Sequence, residues 1–405
     1  MRIARLIIKE SKLAWAHRDQ LPLKDDLQRA ALMKQAAGGA GEELRGTGLG
    51  TASAAGLPAR DAKVRRWFVR AEGGSVPGTR KPDETRDGVD LTNLDQPLFD
   101  GSEATKRDLV DYLDAVHERI LPELRERPLS VIRIRPGQPK FMQKNVPKYT
   151  PEWVKTVQVW AEASKREVSY ALCDDRRTLL WFANQRAVEY HPTLMRADRW
   201  DRVTHLVLDL DPPEGETFTM AVRAALLVRQ ALTDSGLSGA VKTSGAKGVH
   251  VIVPIVDNVT IEDAAAATRA IAARAEKLDP SVATTAYIKE DRHGKVFVDS
   301  TRAGGVTVVA AYSPRVRPGT TVSFPVGWDD LESVTPRDFT VRTAPGLLGA
   351  ADLWADQLPA PQAIPEDLLE EGRAIPVARV AAMHEGKRRK RAREAQQAPA
   401  DHSEE

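Results

Sequence analysis

The chain has 405 residues, 42% of them hydrophobic, which is enough for one large domain or two ordinary ones with a real core. Its 59 basic and 57 acidic side chains nearly cancel to a formal charge of +2, so any affinity for nucleic acid has to come from local clusters. A single cysteine, Cys173, excludes an internal disulfide framework and a cysteine zinc cluster, fits a reducing compartment and reads as a small core residue.

The opening segment from Met1 to Glu10 has too short an apolar stretch for a secretory signal, and no later window approaches a membrane span. A cytoplasmic protein is expected. Residues 1–87 read as an N-terminal extension, partly disordered, because Gly38-Gly39-Ala40-Gly41 and Gly73-Gly74 break any periodicity. Within it, Val64 to Arg70 has the composition of a basic strand or an interaction segment.

A domain is expected over 88–365. Thr105 looks like a helix cap, followed by apolar residues at helical spacing to Leu113. Short apolar runs follow at Val131–Ile134, Val157–Trp160, Leu179–Phe182, Leu206–Leu208, Val249–Val253 and Val296–Val298, and helical patterns run from Phe218 to Leu232 and from Ile261 to Ala275. Strands mixed with helices, without strict alternation, predict an α+β fold with largely antiparallel sheets. Residues 366–405 read as a charged tail. Its segment 387–393 places six cations in seven residues, either a solvated run or a phosphate-binding arm.

The chemistry concentrates at Leu206-Val207-Leu208-Asp209-Leu210-Asp211-Pro212, an apolar strand ending in two carboxylates one residue apart. Alternate side chains of a strand share a face, so Asp209 and Asp211 project the same way, and two like charges that close call for a cation or a shared proton. Downstream, Thr243-Ser244-Gly245-Ala246-Lys247-Gly248-Val249-His250 is a glycine-bearing turn leading into a strand. Ser244, the turn amides and Lys247 suit a phosphate, but the glycine spacing is not that of a Walker loop. His250 fits either a core histidine or a phosphate donor. A third carboxylate, Asp299, again follows an apolar strand. Three acids at strand ends suit phosphoryl transfer by two divalent cations about 3.5 to 4 Å apart. Arg292 and Arg315 are placed in sequence to neutralise phosphates or, equally, to pair with surface acids.

Taken together, Asp209-Leu210-Asp211-Pro212, the turn from Ser244 to His250, and Asp299 followed by Tyr312-Ser313-Pro314-Arg315 resemble the three signatures of the polymerase domain of bacterial ligase D, in the archaeo-eukaryotic primase superfamily. The resemblance extends over roughly 88–340, through Leu91–Asp95, Thr105–Leu109, Pro151–Val154, Glu189–Pro192 and Val326–Leu331. It implies a primase-polymerase fold, with an RRM-like catalytic half packed against a second sheet. It also implies Mn2+ or Mg2+ held by Asp209, Asp211 and Asp299, and an incoming triphosphate held by Ser244, Lys247, His250 and Arg315 with help from Arg292 and His191. The DNA contacts implied are Lys106, Phe141 and Lys144. The expected activity is extension of a nucleic-acid 3′ end with NTPs or dNTPs, in gap filling, end joining or priming. With neither a ligase lysine motif nor a nuclease module in the sequence, a separate DNA ligase and an end-binding ring protein are the partners to expect.

Two positions depart from the family pattern. Gln96 stands where end-joining relatives carry a lysine, and Met142 replaces the second of two phenylalanines, losing a ring whose stacking is worth about 1 to 3 kcal/mol per base. Both changes put recognition of a 5′-phosphorylated break in question. Two other readings compete. In a haloacid-dehalogenase-type phosphatase a threonine is wanted where Pro213 stands, and a non-catalytic single-strand binding protein would not need all three carboxylates.

Overall fold

The computed structural model describes residues 81–161, 165–215, 218–303 and 307–377, together with 383, 385 and 388. Residues 1–80 of the expected N-terminal extension and nearly all of the basic run at 387–393 lie outside the described residues. A short hairpin of β1 (Glu84–Arg86) and β2 (Val89–Leu91) precedes α1 (Lys106–Ala115). Thr105 caps α1 as the sequence suggests: its side chain accepts from the Asp108 amide, and Asp108 returns a bond to the Thr105 amide, a full capping box. Helix α2 (His117–Leu124) follows.

The first large sheet has the order β4 (Phe141–Gln143), β3 (Leu129–Arg133), β6 (Arg166–Ala171), β5 (Thr156–Ala161), with β7 (Ala187–Pro192) also paired to β3. Between β6 and β7 the run Leu179–Phe182 lies in a helix, α3 (Arg176–Asn184), and not in a strand. Four apolar residues carry no period that separates the two, and the deciding feature is Asp175, whose side chain accepts from the Thr178 amide and starts the helix.

The second sheet has the order β11 (Ala283–Thr284), β12 (Val296–Asp299), β8 (His205–Asp211), β10 (Val249–Pro254), β9 (Ala240–Thr243), antiparallel except for β11 with β12. Helices α4 (Phe218–Asp234) and α5 (Ile261–Leu278) pack on it. Their buried stripes are largely alanine, Ala221, Ala224, Ala225 and Ala231 in one and Ala264, Ala267, Ala270 and Ala275 in the other, so the helix backbones come close to the sheet. Short helices α6 (Ala344–Leu347) and α7 (Leu353–Gln357) precede α8 (Glu366–Ala374). Helix α8 packs on α5 so tightly that a Cβ on Gly372 would lie 1.9 Å from the Ala266 carbonyl oxygen. With β1 and α8 included, the packed fold runs past the limits of 88 and 365 drawn from the sequence. Cys173 is fully buried in the core.

Candidate active site

Strand register builds the site. Asp209 on β8 pairs with Asp299 on β12 and with His250 on β10, and His250 pairs in turn with Lys242 on β9. Register partners project to the same side of a sheet, so Asp299, Asp209, His250 and Lys242 form one polar row across four strands. Asp211, two residues along β8, shares that face and pairs with Phe297.

The row is buried and internally bonded. The Lys242 ammonium donates to Ser323 Oγ at 2.7 Å, to the Val309 carbonyl at 3.0 Å and to His250 Nδ1 at 2.9 Å. A lysine ammonium has three donors and no acceptor, so in its charged form Nδ1 must accept and the ring proton sits on Nε2. That nitrogen lies 3.3 Å from Asp209 Oδ1. Burial, and then the neighbouring Lys242 charge, push the His250 imidazole down to about 4, so it is neutral at pH 7. Burial and the Arg315 guanidinium push Lys242 itself down to about 7.

On its other side Asp209 meets Arg302, whose guanidinium lies 2.5 Å from Asp209 Oδ2 and 3.4 Å from Asp299 Oδ2. Among the described residues no three His, Cys, Asp or Glu side chains converge closely enough to hold a metal as they stand. Two of the three expected ligands converge on this guanidinium instead. A single cation therefore already reaches both carboxylates, and their hard oxygen donors are those that suit Mg2+ or Mn2+. The residues fit a divalent ion in place of the guanidinium.

The turn from Ser244 to Gly248 packs tightly against this row. Ser244 Oγ accepts from the Ala246 and Gly248 amides at 3.2 and 3.1 Å, and Lys247 Nζ donates to the Pro212 carbonyl at 2.7 Å, tying the turn to the end of β8. A Cβ on Gly248 would lie 2.2 Å from the Leu210 oxygen, and one on Gly245, at φ +66°, would lie 2.7 Å from the Arg315 side chain. Arg315 donates to the Ser244 carbonyl and lies 3.1 Å from Glu189 Oε2. The same Glu189 oxygen is 2.9 Å from His191 Nε2. Burial opposes charge on Glu189, but Arg315 and then His191 outweigh it and hold the carboxyl well below its ordinary range. The His191 pKa is itself lowered, by burial first. Glu189 thus joins two of the expected triphosphate residues, on β7 of the first sheet, to the turn of the second.

Arg292 stacks 3.8 Å over the ring centroid of Phe297, the strand partner of Asp211. Phe141 is exposed on β4, with the Arg133 guanidinium 5.7 Å from its ring, and Lys144 is partly exposed just beyond. Lys106 is placed otherwise than expected. It is 2% exposed, its ammonium donates to the Thr92 carbonyl and to Asn184 Oδ1 at 2.6 Å, and burial lowers it to about 8. As placed, its ammonium ties Thr92 to Asn184 inside the fold. Lys242, Arg302 and Glu189 are site residues that sequence reasoning missed. The signal for Glu189 was its place two residues before His191 on one strand face, and for Lys242 a charge embedded in an apolar strand.

The described residues contain no helix long and apolar enough to cross a membrane. Residues 105–354 match the family model "LigD, primase-polymerase domain". The chain is 34% identical over 260 residues to the bifunctional non-homologous end joining protein LigD of Bacillus subtilis, covering 63% of this chain and 41% of that protein. It is 33% identical over 268 residues to the multifunctional LigD of Mycobacterium bovis, covering 62% of this chain and 34% of that protein. It thus spans well under half of these curated relatives. A solved polymerase domain from Mycobacterium tuberculosis ligase D, in complex with DNA, superposes with a TM-score of 0.61 at 31% identity, covering 67% of this chain and 97% of that one. The matched span contains the whole polar row, the turn and Arg315, and the chain belongs to the LigD primase-polymerase domain family of polymerase/primase-type nucleotidyltransferases.

Proposed function

We propose that this protein extends a nucleic-acid 3′ end on a template, taking NTPs or dNTPs, at gaps or broken ends of DNA. The observation that carries this is the convergence of Asp209 and Asp299 on one cation, next to a glycine turn braced by Arg315 and Glu189. Asp209, Asp211 and Asp299 would hold Mn2+ or Mg2+, which when bound lowers the cost of charge developing on the reacting phosphate. The 3′ oxygen attacks the α-phosphorus in line and pyrophosphate leaves. Lys247, Arg315, Arg292 and the Ser244 turn supply charge and amides for the triphosphate, beside the neutral His250 whose Nε2 faces Asp209.

A DNA strand is favoured by local charge. Residues 133–148 contain five basic and no acidic side chains, and Phe141 and Tyr149 are exposed beside them. Phe141 and Lys144 belong to this DNA-facing set. A DNA ligase activity and an end-binding ring protein would complete the proposed repair reaction, as the relatives are named for end joining.

The test is addition of one nucleotide to a labelled primer on a gapped duplex, with each NTP and dNTP supplied singly and the template base varied. Addition of the complementary nucleotide alone supports the proposal and reports the sugar preference. Addition regardless of the template base contradicts templating, and intact single-strand binding without any addition favours a binding protein.

A further inference from the structure

Asp209 and Asp299 are 8% and 2% exposed and stand opposite each other on adjacent strands. Two carboxylates so placed cannot both stay ionised without a counter-charge. Arg302 provides one from inside the fold, with its side chain only 17% exposed. The local chain builds the contact. Strand β12 ends at Asp299 and passes into a 3-10 turn, Thr301–Ala303, whose three-residue period brings position i+3 over position i. Asp299 Oδ1 accepts from the Thr301 amide at 2.9 Å and from its hydroxyl at 2.6 Å, which leaves Oδ2 turned to the guanidinium. A planar, permanently charged fork can serve two acids at once, where a lysine ammonium is a single point charge.

We infer that Arg302 is a resident counter-cation that competes with the divalent ion for Asp209 and Asp299, so that metal loading requires the guanidinium to leave. This rests on the reading of the three carboxylates as the metal site. The oxygens that Arg302 occupies are those a metal must take, so the apparent metal affinity is reduced by the fraction of molecules in which the guanidinium has swung out. Arg302 is thereby a positioning residue. It holds the two acids at their strand ends in the metal-free protein and sets the metal concentration at which the site fills.

The experiment is a Mn2+ titration of the full chain followed by the electron paramagnetic resonance signal of free Mn2+, with thermal unfolding measured in EDTA and in saturating Mn2+. Arg302→Gln is expected to bind Mn2+ about tenfold tighter or more, to melt lower than the wild type in EDTA, and to recover that loss in Mn2+. Arg302→Lys, which keeps the charge, should fall between the two in affinity and guards against misfolding of the glutamine variant. Equal or weaker Mn2+ binding by both variants, with folding intact, overturns the competition while leaving the metal site standing. Absence of Mn2+ binding in the wild type and both variants overturns the metal-site reading itself, and the inference with it.

Discussion

At Asp209 two demands meet: one oxygen faces the His250 ring and the other carries Arg302. The ring can donate there only because Lys242 occupies its far nitrogen. Lys242→Met should therefore release the tautomer, giving mixed Nδ1-H and Nε2-H populations by 15N NMR of His250 and raising the KM for nucleotide about tenfold. An unchanged tautomer would remove this role. The lysine also imposes a pH signature. Its folded pKa of about 7 lies below the unfolded 10.5, so between these values the unfolded chain binds the extra proton. Stability rises with pH across that window and is lost as pH falls through it, and Lys242→Met should flatten the slope measured by urea denaturation. Asp209 and Asp211 were legible as a pair because strand phase alone puts them on one face, whereas Asp299 and His250 could be named from the sequence only as a strand-end acid and a strand histidine, since their place beside Asp209 depends on the register between strands. Arg302 was not, because a charged residue just past a strand end reads as solvated until the register shows what it faces, and Lys242, though embedded in an apolar strand, shows its partners only through that register.

Among the elements, the strand β8 and the turn that crosses its end fit closely at the site. Gly248 is required there by contact and not by backbone angle, since any Cβ meets the Leu210 oxygen. Gly248→Ala should cost about 1 to 3 kcal/mol in denaturant unfolding, the usual range for overpacking, and weaken nucleotide binding by lifting Ser244 and Lys247 from the row. Normal stability and normal nucleotide affinity in that variant would show that the turn has room to move. Element types were readable wherever a cap or a long period marked them, as at Thr105 and over α4 and α5. The run in α3 was not, because Leu179–Phe182 is too short to show a period and its identity depends on the Asp175 cap.

Over the whole molecule, strand order does what local sequence cannot. The order β11-β12-β8-β10-β9 sets Arg302 against Asp209, 93 residues apart in the chain, and puts the third carboxylate beside the first. The antiparallel α+β class followed from the mix of runs, whereas this order and the burial of Lys106 came only from packing across the fold. The family match and the DNA-bound relative place the same architecture among polymerase domains. The most direct measurement of the central claim is primer extension in Mn2+ by the wild type beside Asp211→Asn and Asp299→Asn, with folding of each checked by circular dichroism and melting temperature. Extension by the wild type is expected, with a loss of at least 100-fold, on the order of 3 kcal/mol in transition-state terms, in both folded variants. Extension at the wild-type rate by either variant would contradict that claim.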